Sequence, residues 1–295
     1  MRYESHGQVV DIDVPDGYED EVDDWIEHFV PGIEETDAEP DYTVHLEQGE
    51  EAGLQYDEDE AVITSPEERF HPMDAVMMGA RAFEKQYNED ETYSLHSSSV
   101  TDGEHSVLIT GEANTGKTTT ALKLCRDYDL SIISGDRTLI QDRKAVEGTK
   151  KLRLRTGSLL EEFDLGELVD ERPDDIWQET GIYTGEDLDV EEADGEYPVQ
   201  AVYFVKKVPG DMNIDTFDLP ESLIEYSRQA SMFSRSHPEL LYGPGQPVPV
   251  LEDEEDGQMR IEEAEHLLED VDCYTLSGEL EDISEEIYRR EFSDD

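Results

Sequence analysis

Positive charge is what this 295-residue sequence has least of: 22 Lys and Arg stand against 78 Asp and Glu, a formal net charge of −56. Lysine is scarcer still, eight residues against fourteen arginines. A polyanion of this strength lacks the positive footprint that nucleic acid or an anionic membrane surface requires, so neither is expected as a partner. Long apolar runs are missing too, and no stretch of 18 apolar residues offers a transmembrane helix. The opening MRYESHGQVVDIDVPDGYEDE has no apolar core of the signal-peptide kind. Two cysteines, Cys125 and Cys273, are too few for a disulfide framework, and a reduced cytoplasm is the expected setting.

Low hydropathy with high net charge is the compositional mark of disorder. Against it stand a 36% hydrophobic and 8% aromatic content, gathered in blocks such as VLITG and AVYFV. A globule of this size exposes roughly 12,700 Å². Its surplus charges would then lie about 15 Å apart, not far beyond the Debye length of about 10 Å at 0.1 M salt. In molar salt the screening length falls to about 3 Å and the repulsion nearly vanishes. Abundant Asp and Glu with depleted Lys therefore reads as a coat suited to the cytoplasm of a high-salt organism. An acidic mimic of nucleic acid is the rival reading.

The expected organisation is a small N-terminal α+β region over 1–90 and a nucleotide-binding domain with C-terminal helices over 91–295. In the first, QVVDIDV (8–14), YTVHLEQ (42–48) and EAVITS (60–65) read as strands, and 19–30 and 72–87 as helices. In the second, YSLHSSSV, SVLIT, LSIIS (130–134) and YPVQAVYFVKKV (197–208) read as strands, with KKLRLRT (150–156) a further strand bearing basic residues. Helices are expected near 116–126, 218–233, 260–271 and 279–290, the last pair flanking the strand CYTLS. Residues 160–196 read as acid-rich mixed structure, 237–250 as a Pro/Gly loop, 251–257 as an acidic loop, and the tail past Arg290 as frayed. The order strand, glycine loop, helix, strand marks an α/β fold.

The most specific feature is GEANTGKTTT, Gly111 to Thr120: a glycine, four residues, then Gly116-Lys117-Thr118. This spacing turns successive backbone N–H groups inward around phosphate oxygens, and the helix N-terminus adds partial positive charge. The expected cradle comprises Gly111, Asn114, Thr115, Gly116, Lys117, Thr118 and Thr119. Lys117 reaches the β and γ phosphates and the Thr118 hydroxyl ligates Mg²⁺. The strand VLIT before it and the helix with Ala121, Leu122, Leu124 and Cys125 after it supply the required context. Asp136, in IISGDR after the next strand, stands where a carboxylate holds Mg²⁺ or accepts a hydroxyl proton; a helix cap or turn is the alternative. His96 on its own is an unremarkable histidine.

The stretch LHSSSVTDGEHSVLITGEANTGKTTTALKLCRDYDLSIISGDRTLIQ (95–141) resembles the core of the HPr kinase/phosphorylase family. It is also similar to related small kinases with the phosphoenolpyruvate carboxykinase-type P-loop fold. The likeness rests on His96 about fifteen residues before the loop, the loop itself, Ala121-Leu122 and Asp136-Arg137. It implies a P-loop kinase core with a mixed sheet, ATP or GTP and Mg²⁺ as cofactors, and homo-oligomeric assembly. It further implies Lys117 as phosphate clamp, Thr118 as metal ligand and Asp136 as catalytic or metal acid. His96 would lie near the transferred phosphate, and Arg137 and Arg155 would contact phosphate or substrate. The chain departs from the family where Gly135 replaces the first of two adjacent acids, where Arg153 replaces a Glu, and where Thr118 replaces the serine after lysine. Two readings follow: a kinase transferring a phosphoryl group to the hydroxyl of a small molecule or protein, or a nucleotide-binding regulatory or assembly module without turnover. Either predicts that Lys117, Arg137, Arg153 and Arg155 form a small positive basin in an otherwise negative surface.

Overall fold

Alternation of apolar and charged residues builds a half-covered sheet at the N-terminal end. The computed structural model describes residues 1–169, 175–236 and 240–293, divided by their contacts into two units: Met1–Ser94 with Ala230–Ile261, and Leu95–Gln229 with Glu262–Asp295. Sequence reasoning drew a single boundary after residue 90, whereas the division is crossed three times. Of the expected features, residues 170–174 of the acid-rich stretch, 237–239 of the Pro/Gly loop and 294–295 of the tail lie outside the described residues.

The first unit opens with β1 (Arg2–Ser5), β2 (Gln8–Asp13), α1 (Glu19–Phe29), β3 (Glu34–Glu35), β4 (Tyr42–Gln48), β5 (Gly53–Tyr56), β6 (Glu60–Ser65) and α2 (Met73–Glu89). Its sheet runs β3-β1-β2-β4-β6-β5, with β2, β4 and β6 parallel. Period-2 burial of Tyr42, Val44 and Leu46 turns one face inward. Val22 and Ile26 of α1 and Val76 and Phe83 of α2 are buried with them.

The second unit begins with β7 (Tyr93–Thr101), β8 (Ser106–Thr110), α3 (Lys117–Tyr128), β9 (Ser131–Ser134), β10 (Arg137–Gln141) and β11 (Lys144–Gly148). There follow β12 (Leu152–Arg155), α4 (Thr156–Glu161), β13 (Thr180–Tyr183), α5 (Gly185–Leu188), β14 (Tyr197–Lys207), β15 (Asn213–Thr216) and α6 (Leu219–Ala230). The chain then returns to the first unit through β16 (Leu240–Leu241) and β17 (Gln246–Pro247). Next, α7 (Glu254–Leu268) carries it back to β18 (Asp272–Gly278) and α8 (Leu280–Glu291). The larger sheet is mixed, in the order β11-β10-β7-β8-β14-β18-β15 with β9 added beside β7. Strands β8, β14 and β18 run parallel and β7 antiparallel to β8. The chain is thus a mixed α/β protein.

Strands β7 and β8 are buried along their whole length, which explains why neither alternates strictly between apolar and charged residues. In β7 the interior positions are serines, and their hydroxyls are paired. Ser97 Oγ donates to Thr138 Oγ1 at 2.8 Å and Ser98 Oγ to the Gly135 carbonyl at 2.6 Å. Two expectations need correction. Residues 254–257 of the acidic loop form the first turn of α7, because Asp253 and Asp256 cap each other's backbone N–H. Residues 137–148, unassigned from sequence, form the β10–β11 hairpin, whose turn holds Asp142 and Arg143 at φ of 46° and 63°. An Asn-Gly turn would have announced it.

Candidate active site

Between β8 and α3 the chain must reverse tightly, and two glycines make that possible. Gly111 has φ of +139° and its absent Cβ would lie 3.0 Å from the Val205 carbonyl of β14. Gly116 has φ of +103°, a left-handed conformation that costs glycine little. Asn114, also left-handed at φ of 65°, is among the few side chains that tolerate it. Gly116 precedes the first helical residue with no side-chain cap, so the first-turn N–H groups of α3 point at the loop without a capping side chain between.

Lys117 folds back over this loop and donates to the carbonyls of Gly111 (3.2 Å) and Glu112 (3.1 Å). It is buried, and burial pushes its ammonium down to about 8 against the opposing pull of Asp136 and Glu112. A cation so poorly solvated is primed to receive an anion. Thr115 and Thr119 hydroxyls donate to the carbonyls of Glu112 and Gly116, both at 2.9 Å, and brace the turn.

One edge of the cradle faces β7 and the start of β10. There Thr118 Oγ1 donates to the Gly135 carbonyl at 3.0 Å, and His96 Nε2 stands 3.5 Å from Asp136 Oδ1. Gln229 of α6 meets the other ring nitrogen, Oε1 to Nδ1, at 3.1 Å. Burial raises the Asp136 carboxyl, but the His96 hydrogen bond and the charges of His96, Lys117 and Arg137 hold it down at about 2. With 46% of its side chain facing water, screening softens those pulls. The backbone N–H groups of Asp136 and Arg137 both donate to Thr149 Oγ1, at 3.3 and 3.1 Å, which fixes the turn.

The structure therefore brings Lys117, Thr118, His96, Asp136 and Arg137 together. Arg155 stands elsewhere, in electrostatic reach of Lys207. Arg153 points to solvent, since Leu152 and Leu154 take the buried face of β12. The predicted basin thus keeps Lys117 and Arg137 and loses Arg153 and Arg155, while Lys207, which sequence reasoning missed, touches the loop through its backbone N–H. Gln229, Ser98 and Thr149 were missed as well; each is an ordinary polar residue whose role depends on long-range pairing. Gly135 has a physical reason for lacking a side chain: a Cβ there would meet the Lys151 carbonyl at 2.9 Å and Leu152 Cα at 3.2 Å.

Among the described residues no group of three or more His, Cys, Asp or Glu is arranged to hold a metal ion. Mg²⁺ fits the donors at this edge, a hydroxyl and one carboxylate, because it usually keeps waters and takes its remaining ligands from phosphate oxygens. No helix among the described residues is long and apolar enough to cross a membrane. No family model and no curated protein matches this chain.

Proposed function

We propose that this protein binds a nucleoside triphosphate in the Gly111–Thr119 loop and transfers its terminal phosphoryl group to a hydroxyl acceptor. The fold would be a P-loop kinase core of the phosphoenolpyruvate carboxykinase type. The observation that carries this reading is the juxtaposition of a buried lysine in a glycine-hinged loop with the Asp136–His96 pair beside Thr118.

Phosphoryl transfer through a loose transition state asks mainly for positioning and neutralisation of charge. The loop N–H groups and Lys117 would hold the phosphates, and Arg137 would add positive potential beside Asp136. Thr118 and Asp136 would hold Mg²⁺, which when bound neutralises phosphate charge. A carboxyl held below its ordinary range by His96, Lys117 and Arg137 is a weak base, so Asp136 orients the acceptor hydroxyl more than it competes for its proton early in the reaction. His96, fixed between Asp136 and Gln229, keeps that carboxylate aimed.

Lys117→Ala should weaken binding of a fluorescent ATP analogue by about 30-fold or more, the usual effect of removing one partner of a desolvated charge contact. Asp136→Asn should leave much of that binding while abolishing phosphoryl transfer to a hydroxyl acceptor. Unchanged titration of the Lys117→Ala variant would refute nucleotide binding in this loop. The second reading, a nucleotide-responsive module without turnover, draws on Gly135, where the backbone of 151–152 leaves no room for a second acid. Protection of the loop from hydrogen exchange by ATP–Mg²⁺ with no turnover would favour it.

A further inference from the structure

The sheet order β7-β8-β14 gives the cradle two distinct edges. Thr118, His96 and Asp136 occupy the β7 edge, where metal and terminal phosphate belong on the proposed reading. A nucleotide lying in the loop must then direct its nucleoside end away from that edge, toward β14. The last residue of β14, Lys207, sits there: its N–H donates to the Thr115 carbonyl at 2.7 Å, and its Cβ would be 3.0 Å from a Cβ on Gly116.

Lys207 leads to an aromatic ring. Its Nζ pairs with Glu162 and lies 5.6 Å from the centroid of Trp177. The indole rests against the backbone of Gly157, where a Cβ would come within 2.6 Å of ring carbons. Main-chain bonds fix this arrangement from both sides. Gly157 N–H donates to the Ile176 carbonyl at 2.6 Å and Thr156 N–H to Glu179 at 3.0 Å, extending the β12–β13 ladder. Trp177 N–H donates to Asp175 Oδ1 at 3.0 Å. A large indole left 37% exposed on so firm a seat, beside a lysine whose backbone touches the phosphate loop, is unusual for packing alone. Arg155 adds positive potential at the same place.

We infer that Trp177 is the platform on which the base of a bound nucleoside triphosphate stacks, and that Lys207 meets the phosphate nearest the ribose. This rests on the nucleotide-binding reading and adds to it the nucleoside subsite. Stacking a base on an aromatic side chain strengthens binding by about 5- to 150-fold.

The 295-residue sequence carries two tryptophans, Trp25 and Trp177, so a Trp25→Phe background leaves Trp177 as its sole indole reporter. ATP–Mg²⁺ should quench its fluorescence saturably. Inorganic triphosphate should displace a fluorescent ATP analogue while leaving the indole signal almost unchanged. Trp177→Ala should weaken ATP by about 5- to 150-fold and triphosphate by less than about twofold, and Trp177→Phe should restore most of the ATP affinity. ATP binding that leaves Trp177 silent, or a Trp177→Ala loss shared equally by triphosphate, overturns the platform and leaves nucleotide binding standing. Failure of the unsubstituted protein to bind either ligand overturns both.

Discussion

A buried charge survives in a fold only when its partners hold it, and Glu252 of the first unit is held by three. Arg260 donates to its two oxygens at 2.6 and 2.5 Å, Arg235 Nε at 3.0 Å and Asn88 Nδ2 at 3.0 Å. Burial pushes the carboxyl up, but the Arg260 bond and charge, followed by Asn88 and Arg235, bring it below its ordinary 4.5. Its stabilisation is therefore complete above pH 4.5 and is lost as pH falls through the lower folded-state value. Glu252→Gln, which strands Arg260, should cost about 3 kcal/mol at neutral pH. The stability gap between this variant and the unsubstituted protein, read from urea melts, should stay constant down to about pH 4.5 and close below it. Comparing the two proteins at each pH removes the general response of a heavily acidic chain. At this scale the sequence was informative where chemistry demands fixed spacing, as in Gly111, Gly116, Lys117 and Thr118. It was silent about Lys207 and Trp177, because the first ends a strand like any exposed lysine and the second lies in acid-rich sequence without periodicity.

Among the elements, α7 shows how a charge run hides a helix start. Asp253 Oδ1 accepts from the N–H groups of Glu255 and Asp256 at 2.7 and 3.1 Å, and Asp256 Oδ2 accepts from Asp253 N–H at 2.9 Å. This reciprocal cap, with Glu254, Glu255 and Asp256 all at the positive end of the helix dipole, favours helix where composition alone suggests loop. Asp253→Ala should lower the unfolding free energy by about 1 kcal/mol in a urea titration followed by circular dichroism; no change would show that the cap is redundant. The cap is written in the sequence as Asp-x-x-Asp before a mixed apolar run, but the surrounding charge masks it. Strands β4, β6, β8 and β14 were legible through alternation or continuous apolar character, and α2, α3 and α8 through helical spacing. The β10–β11 hairpin was not, since Asp142-Arg143 is a poor turn signal. Nor was β15, whose pairing with β18 at the sheet edge leaves Asn213, Asp215 and Thr216 exposed and the strand without a clear pattern.

For the whole molecule, the charge of −56 is spread over a surface of 14,288 Å², so surplus carboxylates stand about 16 Å apart, within two Debye lengths at 0.1 M salt. If the coat is an adaptation to salt, the unfolding temperature should climb by several degrees between 0.1 and 2 M KCl, most steeply at the low end where screening changes fastest. A flat profile would show that the repulsion is already relieved by pairs such as Lys123 with Asp127 and Glu281. The way the chain crosses between units bears on how the protein is made. The first unit needs Ala230–Ile261 to complete it, and the second needs β18 and α8. A ribosome adding about 5 to 20 residues per second would hold the first 94 residues for roughly 7 to 27 seconds before their missing segment began to be made. Neither unit can finish ahead of the other by much, so a nascent chain carries a first unit without its closing segment and a second whose sheet still lacks β18. Its acidic coat keeps such chains apart during that wait only as far as the surrounding salt permits.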